Sequence, residues 1–157
     1  MRSTRLLPFL IACPLALSAH AHDDHHENGA GIGVAGDKAH VDRTVRVTMS
    51  DEMRFTPASV NARQGETIRF IVSNAGKLKH EFVLGTAKGL AAHAEAMKKF
   101  PDMHHNAPNM ASLEPGATGE VIWRFTKPGT IAFACLQVGH YDAGMKGAVH
   151  VAAAPHP

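Results

Sequence analysis

From Arg43 onward, apolar and polar residues alternate with a period of two, which is the pattern of a β-strand with one buried face. The alternation recurs in short runs that are separated by glycine, proline and asparagine, as expected for strands joined by turns. These runs cover residues 45–49, 60–62, 68–72, 80–85, 120–125, 130–135 and 148–152. Short strands with this turn punctuation favour an all-β fold, an antiparallel sandwich.

One segment departs from the strand pattern. Between Gly89 and Pro101, three apolar residues and one histidine recur at helical spacing in a run that is rich in alanine, lysine and glutamate. The recurring positions are Leu90, His93, Ala94 and Met97. We therefore predict one short helix inserted between strands of the sandwich.

The size and charge of the chain exclude several classes of protein. A chain of 157 residues suffices for one packed domain and not for several catalytic domains. Lysine and arginine total 16 against 14 acidic residues, and two of the arginines belong to the removable signal peptide described below, so the mature chain is near neutral. We expect no nucleic-acid partner. The twelve histidines beside only two cysteines indicate metal binding.

The first residues have the features of a secretory signal peptide. Arg2 and Arg5 precede the apolar run 6–17, and Ser18-Ala19-His20-Ala21 provides a cleavage site with small residues. The apolar run is shorter than the roughly 20 residues that span a bilayer, so we predict no membrane span. A lipoprotein-type site at Cys13 is the competing interpretation. The predicted location is the periplasm.

The same reading divides the chain into four parts. We assign residues 1–21 to the signal peptide, 22–42 to a flexible histidine-rich leader, 43–153 to the folded domain and 154–157 to a tail.

Cys135 is the only cysteine left after cleavage, which is unusual in an oxidising compartment. It is either an inert buried thiol or a metal thiolate. Alternate residues of a strand share one face, so Cys135 lies on the face of Ile131 and Phe133. By the same argument His80 shares an apolar face with Phe82. A thiol and an imidazole are thus both expected to face the interior.

The segment after Cys135 adds an imidazole, His140, and a thioether, Met145. Two imidazoles and a thiolate with a weak axial thioether form the donor set of a blue-copper electron-transfer site. Thiolate and thioether favour Cu(I), whereas imidazoles accept both oxidation states. We predict that His80, Cys135, His140 and Met145 bind one type 1 copper ion, and we predict no catalytic residue.

These residues resemble the cupredoxin family. The matching parts are the segment Asn74-Ala75-Gly76-Lys77-Leu78-Lys79-His80 and the loop Cys135-x4-His140-x4-Met145-x-Gly147. The loop spacing is similar to that of rusticyanin. The inserted helix and Phe100-Pro101-Asp102-Met103 look more like the periplasmic copper-tolerance cupredoxins of bacteria. Plastocyanin and azurin have asparagine after the first histidine, where Glu81 stands here.

The resemblance implies a Greek-key sandwich, type 1 copper on the four residues named above, and outer-sphere electron exchange through the exposed edge of His140. We predict a monomeric, non-enzymatic electron carrier that cycles Cu(I) and Cu(II) in the context of copper tolerance. The four-residue site supports the carrier, and the resemblance also favours a copper-homeostasis protein. Its partners would be a redox protein or copper-handling proteins.

Other functions remain open from the sequence. A copper-sequestering or copper-delivery protein would bind further ions through its histidine- and methionine-rich segments, although core packing and a solvated tail explain these residues as well. A small copper oxidoreductase and a plain interaction domain with a buried thiol are further alternatives. The candidates for extra copper binding are His22, His25, His26, His93, Met97, Met103, His104 and His105. We expect Trp123 in the core and His150 on the surface.

Overall fold

The computed structural model describes residues 31–101 and 106–155. The predicted signal peptide, the histidines at 22, 25 and 26, and the Met103-His104-His105 segment lie outside the described residues. In chain order the strands are β1 (Val34–Ala35), β2 (Arg43–Ser50), β3 (Arg54–Thr56), β4 (Ser59–Arg63), β5 (Thr67–Asn74), β6 (His80–Gly85), β7 (Met110–Leu113), β8 (Thr118–Arg124), β9 (Gly129–Ala134) and β10 (Lys146–Ala152). One helix, α1 (Ala87–Lys99), lies between β6 and β7.

The strands form two five-stranded sheets, in the orders β1-β8-β5-β2-β3 and β4-β10-β9-β6-β7. The predicted sandwich is confirmed. Most neighbouring strands are antiparallel, but β2 pairs with β5 and β4 pairs with β10 in parallel. Both parallel pairs join strands that are distant in the chain, because parallel neighbours need a long crossover connection. Local alternation carries no information on such pairings.

The core lies between the two sheets and is centred on phenylalanines. The rings of Phe82 and Phe133 are 5.0 Å apart between centroids, and Phe55 meets Phe133 edge-on at 5.1 Å. Ile131, Phe133 and Cys135 all belong to this core, as their shared strand face predicts. The predicted core position of Trp123 is also confirmed, and His150 is exposed.

The sandwich starts before the boundary that the sequence predicts at Arg43. Ile32 is buried, and its carbonyl accepts a hydrogen bond of 3.1 Å from the indole nitrogen of Trp123. Strand β1 pairs with β8, with Val34 opposite Arg124. Residues assigned to the flexible leader are therefore part of the sheet. Two apolar residues among glycines are too few to show a strand period.

Helix α1 covers the outer face of the second sheet. The Thr86 hydroxyl caps its first turn by accepting a 3.0 Å hydrogen bond from the Gly89 amide. Its buried side packs on the outward-facing side chains Val83 and Ala134. The buried helix residues are Leu90, Ala94 and Met97. The predicted helix is confirmed, and it explains why β6 is buried on both of its faces.

Within the described part of the chain, no helix has the length and hydropathy that crossing a membrane requires.

Candidate metal centre

His80 is the first residue of β6 and is fully buried. The loop before it is organised by the buried side chain of Asn74. The Asn74 amide donates to the carbonyls of Leu78 at 2.8 Å and Leu113 at 3.0 Å, and its oxygen accepts from the Gly76 amide at 2.9 Å. These three bonds hold the loop against the sheet, so the chain enters β6 with the imidazole directed inward.

The segment 135–147, here called the ligand loop, closes on itself next to His80. The Cys135 amide donates to the Met145 carbonyl at 3.1 Å, and the Met145 amide donates to the His140 carbonyl at 3.0 Å. Gly139 and Gly144 have φ values of 85° and 91°, which side chains disfavour and glycine permits. The loop thereby reverses direction and brings His140 and Met145 back to Cys135.

Three of the four predicted ligands meet at the end of the sandwich. The donor atoms of His80, Cys135 and His140 all lie within 4.8 Å of one another. The Cys135 Sγ is 3.3 Å from the His140 Nδ1 and 4.0 Å from the His80 Nδ1. The two imidazole rings are 4.9 Å apart and tilted by 51°. Both histidines thus present the same nitrogen, Nδ1, to the sulfur.

Met145, the fourth predicted ligand, is fully buried in the core of the sandwich. Its backbone carbonyl accepts a hydrogen bond from the Cys135 amide, and its amide donates one to the His140 carbonyl. The structure therefore places the Met145 backbone beside Cys135 and His140, and its role as the fourth ligand stays a prediction.

The electrostatics of the cluster suit a cation. Burial raises the pKa of the Cys135 thiol to about 12, while the Glu81 amide, which donates to Sγ at 3.3 Å, acts in the opposite direction. Burial lowers the pKa of His140, and the neighbouring His80 lowers it further. His140 is thus neutral at pH 7, with an imidazole lone pair available beside a thiol.

The donor set also indicates which kind of ion fits. Buried sulfur and imidazole nitrogen suit copper or zinc, whereas calcium and magnesium require oxygen donors. A coordinated thiol is deprotonated, so a bound cation offsets the cost of burying the thiolate. The residues present therefore fit a type 1 copper site.

The described candidates for further copper binding lie elsewhere. Met97 lies on the buried side of α1, in an apolar cluster that includes Val83 and Leu136. His93 is half-buried on the same helix. Among the described residues, the cluster of His80, Cys135 and His140 is the one group of three or more histidine, cysteine or acidic side chains with metal-binding spacing.

Glu81, the residue after His80, links the ligand loop to the sheet. Its carboxylate Oε1 accepts 2.9 Å and 3.1 Å hydrogen bonds from the Gln137 amide and the Ser112 hydroxyl. Gln137 belongs to the ligand loop and Ser112 to β7. The residue that departs from the plastocyanin and azurin pattern therefore ties the ligand loop to the sheet that carries His80.

Asp51 is a residue of the site that sequence reasoning missed. Its Oδ1 lies 3.0 Å from the Nε2 of His80, and its carboxylate also accepts from the Lys77 and Leu78 amides. The Lys77 amide and then the His80 side chain hold the pKa of Asp51 below its usual value. No local pattern marks Asp51, because it lies 29 positions before His80. Only the parallel pairing of β2 with β5 brings the two together.

The chain resembles known copper proteins in sequence and in fold. Residues 41–152 match the model of the family described as copper binding proteins, plastocyanin/azurin family. The copper-resistant cuproprotein CopI of Rubrivivax gelatinosus is 51% identical over 85% of this chain and 81% of its own. CopI of Pseudomonas aeruginosa is 33% identical, over 94% of this chain and 97% of its own.

A solved structure of auracyanin B superposes with a TM-score of 0.62 at 27% identity, covering 78% of this chain and 95% of that one. The sandwich, the cluster at its end and these matches agree, and the chain belongs to the plastocyanin/azurin family of copper binding proteins.

Proposed function

We propose that the protein holds one copper ion through His80, Cys135, His140 and Met145 and serves as a single-electron carrier in copper tolerance. The observation that carries the proposal is the convergence of one buried sulfur and two imidazole nitrogens within 4.8 Å. When bound, copper supplies the change between Cu(I) and Cu(II). The packed surroundings of the four side chains limit rearrangement between the two states.

The surface around His140 supports electron exchange with a protein partner. His140 is only partly buried, whereas His80 is fully buried. Leu78, two residues before His80, is 47% exposed, and Val138, two residues before His140, is 52% exposed. Exposed apolar side chains beside a partly open ligand favour close, dry contact with a partner. No substrate-binding or catalytic role is required of any residue.

The copper-tolerance context is supported by the relatives, three of which are named copper-resistant cuproproteins. The amino-terminal sequence supports export to the periplasm. A second candidate, copper sequestration, is favoured by the same names. It differs in stoichiometry, because a sequestering protein takes up several ions and an electron carrier takes up one.

The test is a visible-absorption titration of the mature protein with Cu(II), with total copper measured by metal analysis. We expect an intense thiolate-to-copper band that saturates at one ion per chain. Colourless uptake beyond one ion would favour sequestration instead. Absence of the band at every ratio would overturn the type 1 assignment.

The variant Cys135→Ala tests whether the thiolate produces the band, and Met49→Leu is the matched control. Met49 is as deeply buried as Cys135 but belongs to the inner face of β2. We expect Cys135→Ala to abolish the band and Met49→Leu to keep it. Copper bound with unchanged colour by Cys135→Ala would contradict the assignment of the thiolate.

A further inference from the structure

We infer that Asp51 is a positioning residue for the copper ligand His80. Its carboxylate accepts a hydrogen bond from the Nε2–H of His80, and this bond directs the Nδ1 lone pair of the ring towards Cys135 and His140. The inference rests on the proposed copper site, but the tautomer of the His80 ring that it predicts can be measured without copper. Neither the family match nor the similar proteins assigns this role to Asp51.

The fold brings Asp51 to His80 through the parallel pairing of β2 and β5. In this register Met49 lies opposite Asn74, so both strands end at the same edge of the sheet. The Ala75 amide extends the pairing by donating to the Met49 carbonyl at 2.9 Å. The turn after β2 therefore lies directly beside the loop that leads into β6.

The turn itself is specifically shaped. The Met53 amide donates to the Ser50 carbonyl at 3.0 Å, and Met53 has a φ of 57°, a left-handed conformation that is rare for a residue with a side chain. Such conformations persist where the surroundings hold them in place. Here the turn directs the Asp51 carboxylate at the loop that precedes His80.

The neighbouring loop is shaped to receive that carboxylate. The Lys77 amide donates to Oδ2 at 2.7 Å and the Leu78 amide to Oδ1 at 3.2 Å. A Cβ atom at Gly76 would overlap the carboxylate, so this position accepts only glycine without a shift of the turn. Backbone donors and a glycine gap thus hold Asp51 beside the ring.

The bond determines which nitrogen of His80 is free. An ionised carboxylate only accepts hydrogen bonds, so the Nε2 that lies 3.0 Å away carries the proton. In a neutral imidazole the other nitrogen then holds the lone pair. That nitrogen is Nδ1, which lies 4.0 Å from the Cys135 sulfur. A histidine ligand whose second nitrogen donates to a carboxylate is held in one tautomer and is a more basic ligand.

The carboxylate also adds a negative charge next to the site. Because a negative charge favours the more positive oxidation state, Asp51 is expected to stabilise Cu(II) relative to Cu(I) and to lower the reduction potential. If Asp51 only braced the loop at residues 75–79, its replacement would change neither the tautomer of His80 nor the reduction potential. The two roles are therefore separable by experiment.

The experiment compares the wild type with Asp51→Asn and Asp51→Ala. Nitrogen-15 NMR of the histidine ring reports the tautomer of His80 in the metal-free protein. Competition with a chelator gives the Cu(II) affinity, and voltammetry of the copper-loaded protein gives the reduction potential. We expect the Nε2–H tautomer in the wild type and its loss in Asp51→Ala. We also expect an affinity loss of about 10- to 100-fold and a higher potential in both variants.

Asp37→Asn is the matched control. Asp37 makes the same kind of contacts, accepting from the Ala39 amide and pairing with the ring of His40 at 2.9 Å, but its partner His40 is exposed and the pair lies outside the site. We expect this variant to match the wild type in tautomer, affinity and potential. Hydrogen exchange at the Lys77 and Leu78 amides measures the bracing of the loop separately.

The outcomes separate this inference from the proposed function. If Asp51→Asn and Asp51→Ala change only the exchange of the loop amides, Asp51 braces the loop and the inference is overturned. If the wild type shows no thiolate-to-copper band, the proposed function fails, while the tautomer of the metal-free protein still decides the role of Asp51. A wild-type ring protonated on Nδ1 would also overturn the inference.

Discussion

The two nitrogens of His80 face different partners, and the sulfur of Cys135 likewise has a contact outside the cluster. Nδ1 faces the sulfur of Cys135, and Nε2 faces the carboxylate of Asp51. The Cys135 sulfur accepts from the Glu81 amide while it lies beside two imidazoles. The donor atoms of His80 and Cys135 are therefore each held by a second contact outside the cluster.

Replacement of Met145 by leucine tests the thioether at the residue scale. Met145 is fully buried, and leucine conserves its volume, so the free energy of unfolding should fall by less than about 1.5 kcal/mol. Because the axial thioether is a weak donor that tunes the potential, we expect copper to remain bound with an altered spectrum and a higher reduction potential. Visible absorption and voltammetry measure both.

Met49→Leu makes the same change elsewhere in the core and should leave spectrum and potential unchanged. Identical spectra and potentials for Met145→Leu and the wild type would show that the thioether is not part of the site.

Helix α1 and the ligand loop are joined at the surface. Lys98 pairs with Asp142 of the ligand loop at 2.8 Å and with Glu95 at 2.7 Å. These two carboxylates raise the pKa of Lys98 to about 12, so the contact is charged throughout the physiological range. The helix therefore covers the outer side of the sheet and also contacts the loop that carries three of the four predicted ligands.

Substitutions of Met97 test whether α1 only packs on the sheet or also binds metal. Because Met97 is buried under α1, Met97→Ala should lower the free energy of unfolding by about 2–5 kcal/mol, as measured by urea denaturation. Met97→Leu removes the sulfur and keeps the volume, so it should cost less than about 1.5 kcal/mol. We expect neither variant to change the copper stoichiometry. A loss of bound copper in Met97→Leu would instead place a sulfur ligand on α1.

At the scale of the whole molecule, the sequence predicts which face of a strand is buried, but it does not predict which distant strands pair. Strand alternation placed Cys135 and His80 in the interior, because the side-chain period of a strand is independent of its neighbours. The position of Asp51 depends on the parallel pairing of β2 with β5, which no local pattern encodes. The early start of the sheet at Val34 was missed because it consists of two residues.

The predicted ligands come from β6 and from the ligand loop, and His80 and Cys135 are 55 positions apart. An ion bound by them would link distant parts of the native fold. An ion that binds only the native state stabilises it by about 2.7 kcal/mol at 100 times its dissociation constant. We expect Cu(II), added under anaerobic conditions, to raise the melting temperature of the wild type. Cys135→Ala should show little of this shift, and an equal shift in both proteins would mean that copper binds elsewhere.

The most direct test is the position of the ion itself. Crystals of the copper-loaded mature protein, measured on both sides of the copper absorption edge, give an anomalous difference map. We predict one strong peak per chain, within bonding distance of the Cys135 Sγ and of the Nδ1 atoms of His80 and His140, with the Met145 thioether next to it. A peak on α1 or elsewhere on the surface, with none among these residues, would contradict the assignment of the site.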